Sequence, residues 1–417
     1  MTRREFTDAY LESLRAVGDP EADEIVDDFV QAAGQTDPKY LVQRLMKHQR
    51  TLPEPEQVPS VRDYFERPVA LPPWADVETL RRGQRFFSTF GIHIASALYC
   101  ASLPMSYTSG RGSQVLTHTM AMVSDTRRRL AQTGEMLLDV MGANDAADAL
   151  PFGPGTAAYR APRGVRLFHA AVRSMLRNDP NYDRCTIGEP INQEDLLGTL
   201  ATFTVVVVDA LQRFGVPVSD ADRDAYVRLW LTTGYLLGIE PTLLLSRHHP
   251  GPVPLTWEEL VALSELIEKR HAGPSTAGRT LMEALLEEEA DALPFGLKRL
   301  PSACTRHLIG DDHSDDLAVP PAGWTRVLLR PLPIVNRTLF ARVYYDLSGW
   351  LFAKLARNLY RSWIARSSPG GPHPWRYDPV QQPWKLGPAH TRVLRVARHP
   401  VRNGVYRCAE GTAFAAR

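Results

Sequence analysis

The chain has 417 residues, of which 44% are hydrophobic and 23% charged, a balance that excludes extensive disorder and allows a large buried core. The formal charge of +1 hides an asymmetry, because residues 357–417 carry 11 Lys and Arg against only Asp378 and Glu410, a local +9. No basic block interleaved with aromatics accompanies that excess, so a nucleic-acid partner is not expected, and the segment reads as a solvated extension or an interaction tail.

At the N-terminus, Met1 to Phe6 leads straight into an acidic amphipathic pattern rather than the apolar run of a secretory signal. The Arg3-Arg4 pair lacks the apolar region that a twin-arginine signal requires. From there on apolar residues recur at helical spacing and few segments alternate with the period of two of a half-buried strand. The expected fold is therefore all-α, a single multi-helix domain with an irregular C-terminal tail. The pattern predicts helices over 4–17, 21–33, 37–49, 75–101, 113–141, 163–177, 192–214, 219–238, 256–271, 276–291 and 341–365. Asp37-Pro38 and Ser219-Asp220 place a capping side chain before a first turn, and Thr256 with Glu259 forms a capping box. Gly142 and Gly215 stand where left-handed C-caps would close the preceding helices. No repeat of 20–50 residues is visible, which argues against a solenoid. From Ser367 the sequence turns Pro/Gly-rich, so the expected division is an N-terminal helical segment packed on the core (1–60), the main helical domain (61–366) and a basic tail (367–417). Trp375 and Trp384 suggest that part of the tail docks.

Cys100, Cys185, Cys304 and Cys408 are far apart and form no C-x-x-C pair, so neither a zinc site nor a disulfide framework is expected, and a reducing compartment suits them. The longest apolar stretches, near Phe90–Leu103 and Val205–Leu211, fall short of the roughly 20 residues that cross a bilayer. The expectation is a cytoplasmic protein without a transmembrane segment.

Common enzyme signatures are missing: no Gly-x-Gly-x-x-Gly or Walker loop follows a strand, and neither His-Glu-x-x-His nor Gly-x-Ser-x-Gly occurs. Three segments remain. In the first, Val165, His169, Val172 and Leu176 share one helical face, so an imidazole sits in an apolar stripe, either as a satisfied core residue or as a metal or haem ligand. Ala170 and Ala171 would leave room for a planar group, and Arg166 and Arg173 stand where guanidinium groups could pair with anionic propionates. In the second, Arg129, Gln132 and Thr133 fall on one face of the 113–141 helix, which is either a solvated basic face or a polar site. In the third, Asn192 looks like an N-cap with Glu194-Asp195 in the first turn, while Thr199 and Phe203 are candidates to line a pocket.

Together these segments resemble the latex clearing protein (rubber oxygenase) and mycophenolate-pathway oxygenase family. The resemblance runs from about Phe65 to Ser362 and is most specific over Val165 to Arg173. Gly188 to Thr199, Leu308-Ile309-Gly310-Asp311 with Leu317-Ala318-Val319-Pro320, and Pro72-Pro73-Trp74-Ala75-Asp76 with Ser102 to Tyr107 resemble further family segments in the same order. It implies a globin-like helical core holding haem b, His169 as the proximal ligand, and Thr199 and Phe203 near the cofactor. Rubber-cleaving members carry a distal Arg-x-x-Lys-Thr string. Arg129 and Thr133 match it, but Gln132 replaces the lysine, so a lysine-capped resting state is not implied here. No counterpart of those members' distal glutamate stands between Gly112 and Leu130, where Asp125 is the one acid.

The resemblance thus implies a haem-dependent oxygenase using O₂ or peroxide on a C=C bond of a small, lipophilic, isoprenoid-like substrate. Solid rubber would lie out of reach of a cytoplasmic enzyme. In that reading Gln132 and Thr133 hydrogen-bond the oxidant, and Arg129 with Arg166 or Arg173 steadies the propionates. The alternatives are a haem carrier or sensor without turnover, and a helical interaction protein whose His169 is core.

Overall fold

The computed structural model describes residues 3–32, 59–122, 126–146, 148–291, 293 and 295–340. The expected helices at 37–49 and 341–365, the Asp37-Pro38 cap and the tail lie outside the described residues. Among those described no strand forms, only isolated bridges at Ser109–Ala272 and Leu245–Pro254, and the fold is all-α.

The chain begins with α1 (Asp8–Leu14), α2 (Pro20–Ala32) and α3 (Pro59–Glu66). Then α4 (Val77–Ala97) continues through a π-helical turn at Leu98–Ser102 into α5 (Leu103–Thr108). Next come α6 (Gly110–Met122), α7 (Thr126–Val140), α8 (Ala157–Arg177) and the short α9 (Arg184–Ile187). After α10 (Gln193–Ala201) a second π-helical turn, Thr202–Val206, leads into α11 (Val207–Arg213). The order continues with α12 (Asp220–Leu236), α13 (Trp257–His271), α14 (Thr276–Asp291) and α15 (Leu300–Asp316).

The caps follow from the side chains. Ser219 Oγ accepts from the Asp222 amide at 3.2 Å. Thr256 Oγ1 accepts from Glu259 N at 3.3 Å while Glu259 Oε2 accepts from Thr256 N at 2.9 Å, a reciprocal capping box. Gly142 and Gly215 close their helices at φ +70° and +78°, a region that suits glycine because it lacks a Cβ. Helix α8 starts a turn and a half before the expected residue 163, because Thr156 caps it and Pro162 is accommodated inside. Proline usually breaks a helix interior, but Ala158 and Tyr159 on that first turn are buried, and their packing holds the turn in place.

The stretch Val77–Thr108 is long and apolar enough to cross a bilayer by length and composition, contrary to the short apolar stretches expected, yet its most apolar window is 56% buried within the protein. It serves as a core helix packed along α12. The approach is close at Gly83, where a Cβ would stand 2.7 Å from the Ala225 carbonyl oxygen. A second cluster, including Val26, Phe29, Tyr64, Leu167, Ala171 and Leu176, joins α2 and α3 to α8. Arg163 closes that junction with its guanidinium over Tyr64 at 4.6 Å and Tyr159 at 4.9 Å. Cys100 and Cys304 are free and buried. Cys185 is disulfide-bonded, a single pairing that the cysteine spacing does not indicate.

Candidate functional site

A cavity of about 420 Å³ lies among α5, α6, α7, α8, α10, α12 and α13, within the roughly 300–1,000 Å³ typical of small-molecule and cofactor sites. Both π-helical turns reach its wall, through Ser102 on one and Thr202, Phe203 and Val206 on the other. Such turns insert an extra residue per turn and often mark functional sites, because they re-aim side chains that an α-helix would point elsewhere.

Val165, Phe168, His169 and Val172 bring the α8 face to the cavity. The spacing of that apolar stripe carries His169 there, although its last member, Leu176, belongs to the cluster behind α8. Ala170 and Ala171 also face that cluster and so open no space on the cavity side. The His169 imidazole is half-buried, bordering the cavity. Burial, with the Arg173 charge added, pushes its pKa down to about 3, so the ring is neutral at physiological pH. His169 Nδ1 is enclosed and has no hydrogen-bond partner among the described residues. An orphaned buried polar atom costs about 1–3 kcal/mol, a penalty that a ligand would remove.

Gln132, Thr133 and Met136 of α7 line the same cavity, and Gln132 Nε2 is likewise buried without a hydrogen-bond partner among the described residues. Arg129 sits on the backbone of α7, and its side chain lies outside the described residues. Thr199 and Phe203 also line the cavity. Thr199 Oγ1 donates to the Asp195 carbonyl at 2.8 Å, and the Phe203 ring packs on Trp230 with centroids 4.7 Å apart. Of the residues singled out in the sequence, the structure therefore brings together Gln132, Thr133, His169, Thr199 and Phe203.

Arg166 and Arg173 are placed elsewhere. Arg166 holds Asp19 through two contacts, of 2.6 and 2.8 Å, and reaches Glu21 at 2.9 Å. Arg173 Nε donates to Asp23 at 2.7 Å and Nη1 to the Ile191 carbonyl at 3.3 Å. A buried guanidinium needs a carboxylate to offset its desolvation, and the acids just before and on α2 satisfy that need. Neither arginine lines the cavity, nor does any other Arg or Lys among the described residues.

Glu194, in the first turn of α10, and His271, which no sequence pattern singles out, also line the cavity. Asn192 does cap α10, accepting from Asp195 N at 2.9 Å. Glu194 instead turns to the cavity wall, where Arg15 Nη1 lies 3.2 Å and Arg270 Nε 2.8 Å from its oxygens. His271 Nε2 stands 3.0 Å from Glu194 Oε1. Burial by itself would raise the Glu194 pKa, but its contacts with His271, Arg270 and Arg15 outweigh it and hold the carboxyl at about 2. Arg15 also reaches Asp195 at 3.0 Å, and Arg270 reaches Glu12 at 2.6 Å, so α1 is clamped to the cavity wall. The signal available in the sequence was Lys269-Arg270-His271 in the last turn of one helix and Glu194-Asp195 in the first turn of another, but nothing local states that those ends meet.

An enclosed imidazole held neutral, whose ring nitrogen lacks a partner, beside a largely apolar cavity, fits the needs of a single axial ligand to a haem. Residues 80–344 match the family model for the ER-bound oxygenase mpaB/B'/Rubber oxygenase catalytic domain. A rubber oxygenase of Streptomyces sp. (strain K30) is 28% identical over 258 residues, covering 61% of this chain and 59% of that protein. The chain thus spans less than two thirds of that relative's length. The solved structure of latex clearing protein LCP in the closed state is similar in fold, with a TM-score of 0.60 at 22% identity, covering 84% of this chain and 91% of that one.

Proposed function

Since the matched residues 80–344 are more than half of it, the chain belongs to the ER-bound oxygenase mpaB/B'/Rubber oxygenase family, and we propose that it is a haem b-dependent oxygenase attacking a C=C bond of a lipophilic, isoprenoid-like substrate. The observation that carries the cofactor assignment is His169, neutral and with Nδ1 unsatisfied on the wall of the cavity. When bound, a haem supplies the redox chemistry with O₂ or peroxide that no protein side chain provides.

This chain's residues would do the rest. His169 would hold the haem iron. Gln132, which lines the same cavity and whose Nε2 has no hydrogen-bond partner among the described residues, would donate a hydrogen bond to the oxidant, and Thr133 would offer a hydroxyl from the same helix. An amide neither gives up nor takes a proton near neutral pH, so position 132 orients and does not act as an acid or base. Leu103, Met105, Val206, Trp230 and Ile267 line the cavity with apolar surface that suits a hydrocarbon chain and excludes water. Glu194 and His271 give one part of the wall a fixed polar character. Protein produced with ample haem should show a Soret band and consume oxygen or peroxide with an unsaturated isoprenoid. A colourless preparation would contradict the reading.

A further inference from the structure

Beyond α15 the chain carries an exposed surface that the cavity chemistry does not use. Helical turns at Arg326–Leu329 and Leu332–Val335 follow a 3₁₀ turn at Gly323–Thr325. Their inner side is anchored: Thr325 Oγ1 donates to the Ala322 carbonyl at 2.6 Å, Asn336 Nδ2 donates to the Phe214 carbonyl at 2.7 Å, and Leu329 is buried. The outer side presents Trp324, Val327, Leu328 and Ile334, exposed by 60%, 56%, 41% and 68%. Large apolar side chains clustered in water signal an interaction site.

Charge identifies what the surface would meet. Arg326, Arg330 and Arg337 are exposed among these apolar residues, and no salt bridge engages them among the described residues. The sequence holds no Asp or Glu between Leu317 and Tyr345, and it continues into the basic region at 357–417. A protein partner would have to bring carboxylates opposite all three arginines to offset their desolvation. Nucleic acid would neutralise the arginines but leave Val327, Leu328 and Ile334 in water. The headgroup region of a bilayer accommodates both: Trp and aliphatic side chains sink to the acyl boundary while arginines meet anionic phosphates.

We infer that residues 323–337 form a peripheral docking surface for an anionic phospholipid bilayer. The binding is a surface attachment and is independent of whether Val77–Thr108 is apolar, since that stretch is engaged in the core.

The test is co-sedimentation of the full chain with sucrose-loaded vesicles of phosphatidylcholine alone or of phosphatidylcholine and phosphatidylserine at 3:1, in 0.1 M salt. Binding is expected to the mixed vesicles and to weaken as salt is raised, because surface charge is screened within a Debye length. The triple variant Arg326→Gln/Arg330→Gln/Arg337→Gln should lose on the order of a hundredfold in affinity, about fivefold per arginine near an anionic surface. Trp324→Ser/Ile334→Ser, which touches no core contact, should lose at least about tenfold through lost apolar burial. Unchanged affinity in both variants would overturn the inference and assign any binding to the basic tail. Equal binding to the two vesicle types would also overturn it. So would a shift from dimer to monomer caused by the apolar variant without loss of vesicle binding, which would make the surface an interface between copies.

Discussion

Glu194 Oε1 and His271 Nε2 stand 3.0 Å apart at the cavity wall, one from the first turn of α10 and the other from the last residue of α13. With Arg15 and Arg270 on the same carboxylate, the pair ties α1, α10 and α13 together around the space where substrate would lie.

Glu194→Gln should destabilise the protein by about 3–5 kcal/mol, the cost of leaving buried cations without their counter-charge, as read from chemical denaturation. The carboxyl lies at about 2 in the folded protein against an ordinary 4.5. A depressed acid gives stability that is present above its unfolded pKa and lost as pH falls through the folded one, so the contribution, on the order of 3 kcal/mol, should fade from about pH 4.5 towards 2. Unfolding curves of wild type and variant should therefore converge over that window. A difference that stayed constant with pH would contradict the assignment.

Arg166→Gln should lower stability by roughly 3 kcal/mol, because Asp19 would be left buried without its two-contact partner. The ratio of haem to protein should not change, since Arg166 does not line the cavity. A variant of normal stability with reduced haem content would show that the side chain serves a propionate instead.

Gly83→Ala places a Cβ 2.7 Å from the Ala225 carbonyl oxygen and 3.1 Å from Leu229 Cβ. Two core helices would have to separate, at about 1–3 kcal/mol for overpacking. Thermal unfolding should show a Tm lower by several degrees, with the far-UV spectrum unchanged. An unaltered Tm would mean that α4 and α12 are less tightly apposed.

Gln132→Lys restores the Arg-x-x-Lys-Thr pattern of the rubber-cleaving members. An amine can ligate iron where an amide only hydrogen-bonds, so the visible spectrum of the haem-loaded resting protein should shift relative to wild type. Identical spectra would remove residue 132 from the neighbourhood of the cofactor.

Most of the described long helices, though not α3 or α15, and several caps at single-residue accuracy were legible in the sequence because they are written locally. Ser219, Thr256 with Glu259, and Gly142 each act within four residues of the end they mark. His169 was legible for the same reason, since one helical face puts it beside Val165 and Val172. What local pattern could not convey was partnership across the fold. Arg166 and Arg173 have the spacing of propionate clamps, but Asp19 and Asp23, about 150 residues earlier, claim them. The π-helical turns at Leu98–Ser102 and Thr202–Val206 leave no mark in an apolar pattern, because an extra residue per turn alters the facing and not the composition.

The most direct test is the haem content of wild type and His169→Ala, read from the Soret absorbance per mole of protein with the far-UV spectrum as a check on folding. Removing a ring that has no hydrogen bond at Nδ1 should leave the helical signal intact and abolish most of the bound haem. A folded variant that keeps a full complement of haem with an unchanged spectrum would contradict the assignment of His169.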